Sequence, residues 1–511
     1  MQRAVEPLAE NSFDLVICGG GITGAGVALD ATLRGLRVAL IDKGDFASGT
    51  SSVSSKLVHG GLRYLEHGEF RLVYEALHER ARLLRNASHI VRPLRFILPF
   101  YAGARVPPWK WRLGLTLYDI LAGSGNLQRS QPLAAGRLLC DAPGLRSSKL
   151  RGGAQYFDAQ MDDARLCIEV VRTAAKQGAF VANYVEAVGF DIDGGTIRGV
   201  RARDHVGERE LFIRSHQVLN ATGPAADDLR RLAGESNGPL LRPTKGVHLV
   251  LPSRELQAAL LLLHPADGRV FFVIPWMGKT LLGTTDTETN ESPDHLQVTA
   301  EDARYLLEAF NHYFTPPCSE ADVLGRFVGL RPLLAESASP SARSREFQIT
   351  TGPAGLITVA GGKYTTYRHM AEVITDQVCH RLGIRRHCRT RDFPLDGTPE
   401  NGASQSALIG RLITAHGLSE AAARHLLDRY GRRAEDVAAY ASRDSSLAVA
   451  IVAGEPDLLA ELAYQRDHEM AVRPADFLLR RTRLGLFCPG LLSSIPGALL
   501  TVMTGKVSRD R

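Results

Sequence analysis

FDLVICGGGITGAGVALDATLRGLRVALID, residues 13–42, carries four structural signals in succession. Residues 13–18 form a short apolar run that reads as a strand, and the glycines from Gly19 to Gly24 turn the chain into a helix reaching about Arg34. Residues 36–41 are a second apolar strand that ends at Asp42. Strand, glycine turn, helix and strand make a βαβ unit, which implies a parallel sheet. Within it the glycines fall as Gly19-x-Gly21-x-x-Gly24, with Ala28 four positions on. The first permits the tight turn, the second lets backbone N–H groups approach a pyrophosphate, and the third allows close helix–strand packing. The helix N-terminus adds its positive dipole end. Asp42 lies 23 residues after Gly19, at the strand end where a carboxylate accepts ribose hydroxyls. Together these signals predict a dinucleotide site.

The residues that follow bear on which dinucleotide. Residues 45–56, DFASGTSSVSSK, are rich in hydroxyls. Thr50, Ser51, Ser52 and Ser55, with Lys56, suit a diphosphate and an extended ribityl chain, which a flavin has and a nicotinamide lacks. Asn220-Ala221-Thr222-Gly223-Pro224 ends a later apolar strand with another glycine turn, where Gly223 offers a second backbone contact. Together the two segments favour FAD.

Further along, a helix is predicted over about residues 70–87. Asp162 and Asp163 cap another helix whose Leu166, Val170, Val171 and Ala174 share one face, with Gly178 at its end. Strand candidates between residues 181 and 220 are broken by Asp193-Gly194-Gly195, a hairpin turn. From about residue 240 to 350 short apolar segments (247–251, 270–275, 280–283 and 347–350) suggest a mostly antiparallel sheet. A proline- and arginine-rich junction, residues 385–399, leads into segments of helical spacing such as GLSEAAARHLLDRYG (417–431) and LLAELAYQRDHEM (458–470).

The whole chain, 511 residues with 44% hydrophobic and 23% charged, has an ordinary globular balance and length for roughly three domains. The net charge of +6 is too mild to argue for nucleic acid, while an anionic ligand or membrane surface stays open. Seven cysteines, none in C-x-x-C spacing, speak against a disulfide framework, a zinc ribbon or a cysteine-ligated cluster, and no metal site is expected. No basic segment followed by an apolar stretch opens the chain, and no run approaches about 18 apolar residues, so the expectation is a protein without secretory signal or spanning helix.

GGGITGAGVALDATLRG (19–35) and SSKLVHGGLRYLEHGEFRLVYEAL (54–77) resemble the FAD-dependent glycerol-3-phosphate dehydrogenases of the aerobic, respiratory kind. FDAQMDDARL (157–166), NATGP (220–224), TKGVHLVLP (244–252), VFFVIPWMGKTLLGTTDTE (270–288), GLRPLL (329–334), GGKYTTYRHMAE (361–372) and RPADFLLRRTRLG (473–485) extend the resemblance in the same order. One departure is Asp42, where relatives often carry Glu; the shorter carboxylate still reaches a ribose. The resemblance implies oxidation of sn-glycerol 3-phosphate to dihydroxyacetone phosphate, with electrons passing through FAD to membrane quinone. It also implies an α/β plus α+β architecture: an FAD-binding, doubly wound (Rossmann-like) domain, an antiparallel-sheet substrate domain and a helical C-terminal cap. We assign residues 10–90, 150–235 and 345–384 to the first, 91–149 and 236–344 to the second, and 385–511 to the third.

Alcohol oxidation needs a held phosphate, an acceptor for the hydroxyl proton and an acceptor for the C2 hydride. Arginine binds phosphate bidentately and stays charged. Arg331, in Gly329-Leu330-Arg331-Pro332, and Arg63, in Gly60-Gly61-Leu62-Arg63-Tyr64, are the candidates, with Lys363 adding a point charge after Gly361-Gly362. Gly362 and Thr365 are assigned to the cofactor. His59 is the leading general base and His248 its main competitor; Tyr64, His248 and Thr285 are expected against substrate.

Residues 106–118, VPPWKWRLGLTLY, hold two of the three tryptophans between basic residues, as a monotopic docking segment on an anionic membrane would, or as a loop buried under the substrate domain. The expected location is cytoplasmic, on the inner face of the cell membrane; a homodimer is left open. The rivals are an oxidase that reduces oxygen to hydrogen peroxide, since such relatives share these motifs, a non-catalytic membrane flavoprotein, and a nicotinamide dehydrogenase. Arg473, Arg480, Arg481 and Arg483 suit a cap, a dimer surface or a lipid contact.

Overall fold

The strand Ser12–Cys18 is buried from Leu15 onward, so it lies inside a sheet with neighbours on both sides. Val38–Ile41 pairs with it in parallel on one side (Leu15 opposite Val38), and Arg209–Asn220 on the other (Val16 opposite Val218). In this computed structural model, which describes residues 1–104, 106–335, 347–400 and 404–505, the first sheet has eight strands. Its main order runs Phe347–Thr351, Ile357–Gly361, Arg209–Asn220, Ser12–Cys18, Val38–Ile41, Phe180–Ala182. The remaining two, Val185–Asp193 and Thr196–Asp204, form the predicted hairpin, with Gly194 and Gly195 both at positive φ as a two-residue turn requires. Side chains alternate across the sheet. Leu15, Ile17 and Leu40 face the helices Ile22–Leu33 and Asp163–Lys176, while Val16, Ala39 and Ile41 meet Phe190 and Ile213 on the other side.

The second sheet has ten strands. Its longest pair, Val91–Tyr101 with Leu150–Met161, is antiparallel and runs from Val91 opposite Met161 to Tyr101 opposite Leu150. Residues 150–161 therefore belong to the second sheet and not to the cofactor domain in which the sequence reading put them. Leu57–Val58 joins the same strand, Leu57 opposite Gln160. Residues 347–350, grouped by texture with the antiparallel segments and assigned with 345–384 to the first domain, pair antiparallel with Ile357–Gly361 in the first sheet. Alternating apolar residues look the same in either sheet; the distant pairing partner decides. The sheet is mixed, because Ala259–Leu263 runs parallel to Val91–Tyr101.

The C-terminal region is helical, with Gln405–His416, Glu420–Tyr430, Ala434–Arg443 and Leu459–His468 packed around Leu426, Tyr430, Val437 and Tyr464. The junction over residues 385–399 ties it down: Leu395 N–H donates to the Asn86 carbonyl (2.8 Å) and Gly397 N–H to Glu169 (2.6 Å). Buried ion pairs join this cap to the first domain. Arg165 makes two 2.7 Å bonds to Glu469, and Arg433 pairs with Glu169. Arg480, Arg481 and Arg483 are buried in such pairs and belong to the seam of the cap, whereas Arg473 of the same cluster is exposed.

Candidate cofactor and substrate site

The glycine turn ends the central strand of the first sheet, where the strand order leaves a crevice. Gly19 sits at φ +113°, and a Cβ there would lie 2.4 Å from the Ala221 carbonyl oxygen. A Cβ on Gly24 would come to 1.9 Å from the Gly19 carbonyl, so the third glycine serves packing, as predicted, and stays out of the cavity wall. Gly19 and Gly21 line that cavity. The first free N–H of the helix, at Ile22, is met by Ser51 Oγ (2.9 Å).

Asp42 also lines the cavity and accepts from Gly20 N–H (2.6 Å) and Gly44 N–H (2.8 Å). Burial pushes its pKa up to about 6, against the opposing pull of those two donors. A carboxylate that accepts ribose hydroxyls must be ionised, so cofactor affinity is full above this pKa and lost as pH falls through it. Titration with FAD between pH 7.5 and 5 should show affinity falling toward ~10-fold per pH unit below about 6, the limit for one proton. Asp42→Asn should flatten that dependence.

The hydroxyl-rich loop divides its residues. Thr50, Ser51 and Ser55 line the cavity, and so does Ser54, which the sequence reading did not single out. Thr50 Oγ1 donates to the Leu330 carbonyl (2.7 Å), drawing the loop against the strand that carries Arg331. Ser52 and Lys56 are corrections: neither reaches the cavity. Ser52 turns its hydroxyl to the Gly49 carbonyl. Lys56 is fully buried, with Nζ 2.6 Å from the Ser52 carbonyl and 2.7 and 2.8 Å from the two Asp163 oxygens. Burial pulls the ammonium down to about 8 against the pull of Asp163. An ammonium removed from water needs a counter-charge, and Asp163 supplies it.

Arg331 and His248 reach the cavity from the second sheet. Arg331 closes the strand Gly325–Arg331 and reaches the cavity beside Gly246, whose missing Cβ leaves room for the guanidinium. Its Nη1 bonds Asp286 (2.9 Å), and Nη2 bonds Thr284 Oγ1 (2.8 Å) and the Thr285 carbonyl (3.0 Å). Thr285 itself is turned away: its buried hydroxyl accepts from Val247 N–H (3.0 Å), so the substrate contact expected of it is corrected to a backbone brace.

His248 lines the cavity, buried, with its ring stacked on Phe327 at 4.9 Å and Nε2 2.9 Å from Ser55 Oγ. Burial, then the Lys56 and Arg331 cations, hold its pKa well below the usual histidine range, so the ring is neutral.

His59 also lines the cavity, its backbone N–H bonded to Thr365 Oγ1 (3.2 Å). Lys363 Nζ lies 3.5 Å above the Tyr64 ring centroid, and both residues face the cavity. Gly223, Gly362 and Thr365 complete it, the two glycines at positive φ. Arg63, half-buried on the turn Leu62–His67, is not in the cavity wall; its neighbour Tyr64 holds that position. The doubled aspartate of residues 162–163 was legible only as a helix cap. Asp162 does cap, accepting from Arg165 N–H, whereas Asp163 anchors the loop beneath the cavity.

These groups fit FAD: a helix N-terminus and loop hydroxyls for the diphosphate, a carboxylate to accept from the ribose, and a glycine turn at residue 223 in the same cavity wall. The family described as FAD dependent oxidoreductase matches residues 14–368, and the C-terminal domain of alpha-glycerophosphate oxidase matches residues 388–510. The aerobic glycerol-3-phosphate dehydrogenase of Bacillus subtilis is 38% identical over 523 aligned positions, covering 99% of this chain and 94% of that one. Glycerol-3-phosphate dehydrogenase 2 of Mycobacterium tuberculosis is 40% identical, over 96% of this chain and 84% of the relative. The crystal structure of the Bacillus halodurans glycerol-3-phosphate dehydrogenase, complexed with FAD, superposes with a TM-score of 0.81 at 32% identity, covering 98% and 92% of the two chains. Fold, cofactor cradle and relatives agree, and the chain belongs to the family of FAD-dependent glycerol-3-phosphate dehydrogenases.

Proposed function

We propose that the protein oxidises sn-glycerol 3-phosphate to dihydroxyacetone phosphate and delivers the electrons to membrane quinone. The observation that carries this reading is the convergence of Arg331, Lys363, Tyr64, His59 and His248 on the cavity into which the glycine turn opens. The shared name of the relatives supports the substrate. Arg331, steadied by Asp286 and Thr284, presents its fork to the phosphate, and Lys363 adds charge from the side of Tyr64. His59 takes the C2 hydroxyl proton on a ring nitrogen, and the cavity walls hold C2 in place. FAD, when bound, supplies the acceptor for the C2 hydride.

Membrane attachment to the inner face is supported by the helix Pro108–Ala122. It exposes Trp109 (66%), Leu113 (63%) and Ile120 (68%), and the adjoining helix Phe70–Asn86 exposes Phe70 and Tyr74. Lys110 and Arg112 are exposed beside them, and among the described residues no helix is long and apolar enough to cross a membrane. Each basic residue at an anionic surface is worth about 1 kcal/mol. Lys110→Ala/Arg112→Ala should therefore bind phosphatidylserine vesicles roughly 30-fold more weakly in a flotation assay; unchanged binding would remove this helix from the membrane contact.

A second reading, oxygen as acceptor, is favoured by the C-terminal domain's match to an alpha-glycerophosphate oxidase. Anaerobic addition of glycerol 3-phosphate should bleach the flavin band near ~450 nm, and a soluble quinone should restore it faster than air. Faster recovery in air with stoichiometric hydrogen peroxide would select the oxidase; no bleaching at all would leave a non-catalytic flavoprotein.

A further inference from the structure

The loop that lines the cofactor cavity over residues 49–55 is fastened by residues more than 400 positions later in the chain. Arg483 is almost fully buried and adopts φ +71°, a backbone region unfavourable to a long side chain, so its contacts hold it there. Its Nη1 donates to the Ser52 carbonyl (3.1 Å), the same oxygen that Lys56 Nζ meets at 2.6 Å. Its Nη2 bonds Asp162 (2.7 Å) and Asp163, and Asp163 in turn accepts from Ser54 N–H (2.9 Å), Ser54 Oγ (2.7 Å) and Lys56. One guanidinium thus fixes the carbonyl between Ser51 and Ser54 and the carboxylate that orients Ser54.

A second fastening lies two and three residues earlier. Arg480 Nε and Arg481 Nη1 both bond Asp45 Oδ2 at 2.6 Å, and Arg481 Nη2 bonds Oδ1 at 3.0 Å. Asp45 begins the segment that touches the glycine turn itself. A Cβ on Gly20 would lie 2.4 Å from the Phe46 ring, and Ala47 N–H donates to the Gly20 carbonyl (3.1 Å). From Arg481 to the pyrophosphate turn the path is one ion pair, two peptide units and one hydrogen bond.

We infer that the C-terminal cap is a working part of the FAD site, with Arg483 as the positioning residue for the 49–55 loop and Arg480 and Arg481 as positioning residues for the Gly20 turn. None of the three touches the cavity; each acts through the segment it holds. Coupling of this kind is reciprocal: if the cap tightens FAD binding, FAD tightens the cap by the same factor. The inference requires no substrate and stands whichever oxidant takes the electrons.

The test uses full-length protein stripped of flavin and titrated with FAD by fluorescence. Arg433→Ala is the control, because Arg433 joins the same two domains through Glu169 without touching Asp45 or the loop. Arg483→Ala should weaken FAD binding roughly 5–150-fold, the usual span of such coupling, and Arg483→Lys should recover part of the loss. Arg433→Ala should lower thermal stability without a comparable loss of FAD affinity. In the wild type, FAD should slow amide exchange over residues 476–487, outside the cavity. Equal loss of FAD affinity in Arg433→Ala and Arg483→Ala at equal loss of thermal stability would overturn the inference. So would wild-type exchange over 476–487 that ignores FAD. If Arg483→Ala does not fold, the Lys variant and the wild-type exchange measurement still decide.

Discussion

Arg331→Ala should lower kcat/KM for glycerol 3-phosphate by about 10²–10⁴-fold while the purified protein keeps its flavin colour. Two charge-assisted hydrogen bonds from one fork to a phosphate are worth about 1.5–3 kcal/mol each, which sets that range. The loss has a second source. Asp286 bonds Arg331 at 2.9 Å in the wild type, and removing the cation leaves a carboxylate facing the phosphate dianion. Adding Asp286→Asn to Arg331→Ala should therefore recover part of the activity, a non-additivity expected of groups in one network. Arg331→Lys should fall between, since it restores charge but not the fork. Flavin retention follows because Thr50 is held by the carbonyl of Leu330, a backbone group that the substitution leaves in place. Steady-state kinetics and a visible spectrum check both halves, and kcat/KM within a few-fold of wild type would remove Arg331 from the phosphate site.

His59→Gln should reduce kcat by about 10²–10⁴-fold, the usual contribution of a positioned general base. His248→Gln should cost less in kcat. Both rings line the cavity, but their surroundings differ. A base must end its step protonated, and His248 is buried and flanked by Lys56 and Arg331, which disfavour a charged ring. Its bond to Ser55 ties it to the cofactor loop instead. The pH dependence of kcat separates them: the limb that reports a deprotonating base should disappear in His59→Gln and persist in His248→Gln. The reverse pattern would assign the proton to His248.

What could be read in advance was local. The glycine turn, the Asp193-Gly194-Gly195 hairpin and the Asp162 cap all depend on a few consecutive residues, whose conformational preferences act over that range. Glycine flanks and the family resemblance single out Arg331, Lys363 and Arg63, of which the first two line the cavity and Arg63 does not; the two histidines rest on imidazole chemistry and the resemblance. Long-range pairing was not legible. Leu150–Met161 could have joined either sheet, and only its register with Val91–Tyr101 places it. Lys56 looked like a phosphate ligand in a hydroxyl-rich run, but its charge is spent on Asp163, 107 residues away. Thr285 sits beside the residues that grip Arg331, yet its own hydroxyl turns to Val247, a half-turn of backbone that composition does not encode.

The interleaving of the sheets bears on how the protein is made. The central strand Ser12–Cys18 emerges early, but its partner Arg209–Asn220 follows some two hundred residues later, and Ile357–Gly361 later still. Synthesis proceeds at about 5–20 residues per second, so the glycine turn waits tens of seconds for its sheet and longer for the arginines that fasten the loop beside it. An apolar strand buried on both faces is exposed on the ribosome for that interval, a window in which chaperone demand should be high and nascent chains prone to aggregate. Cofactor loading is accordingly a late event of biosynthesis, and shortage of flavin should show itself in the fate of nearly finished chains.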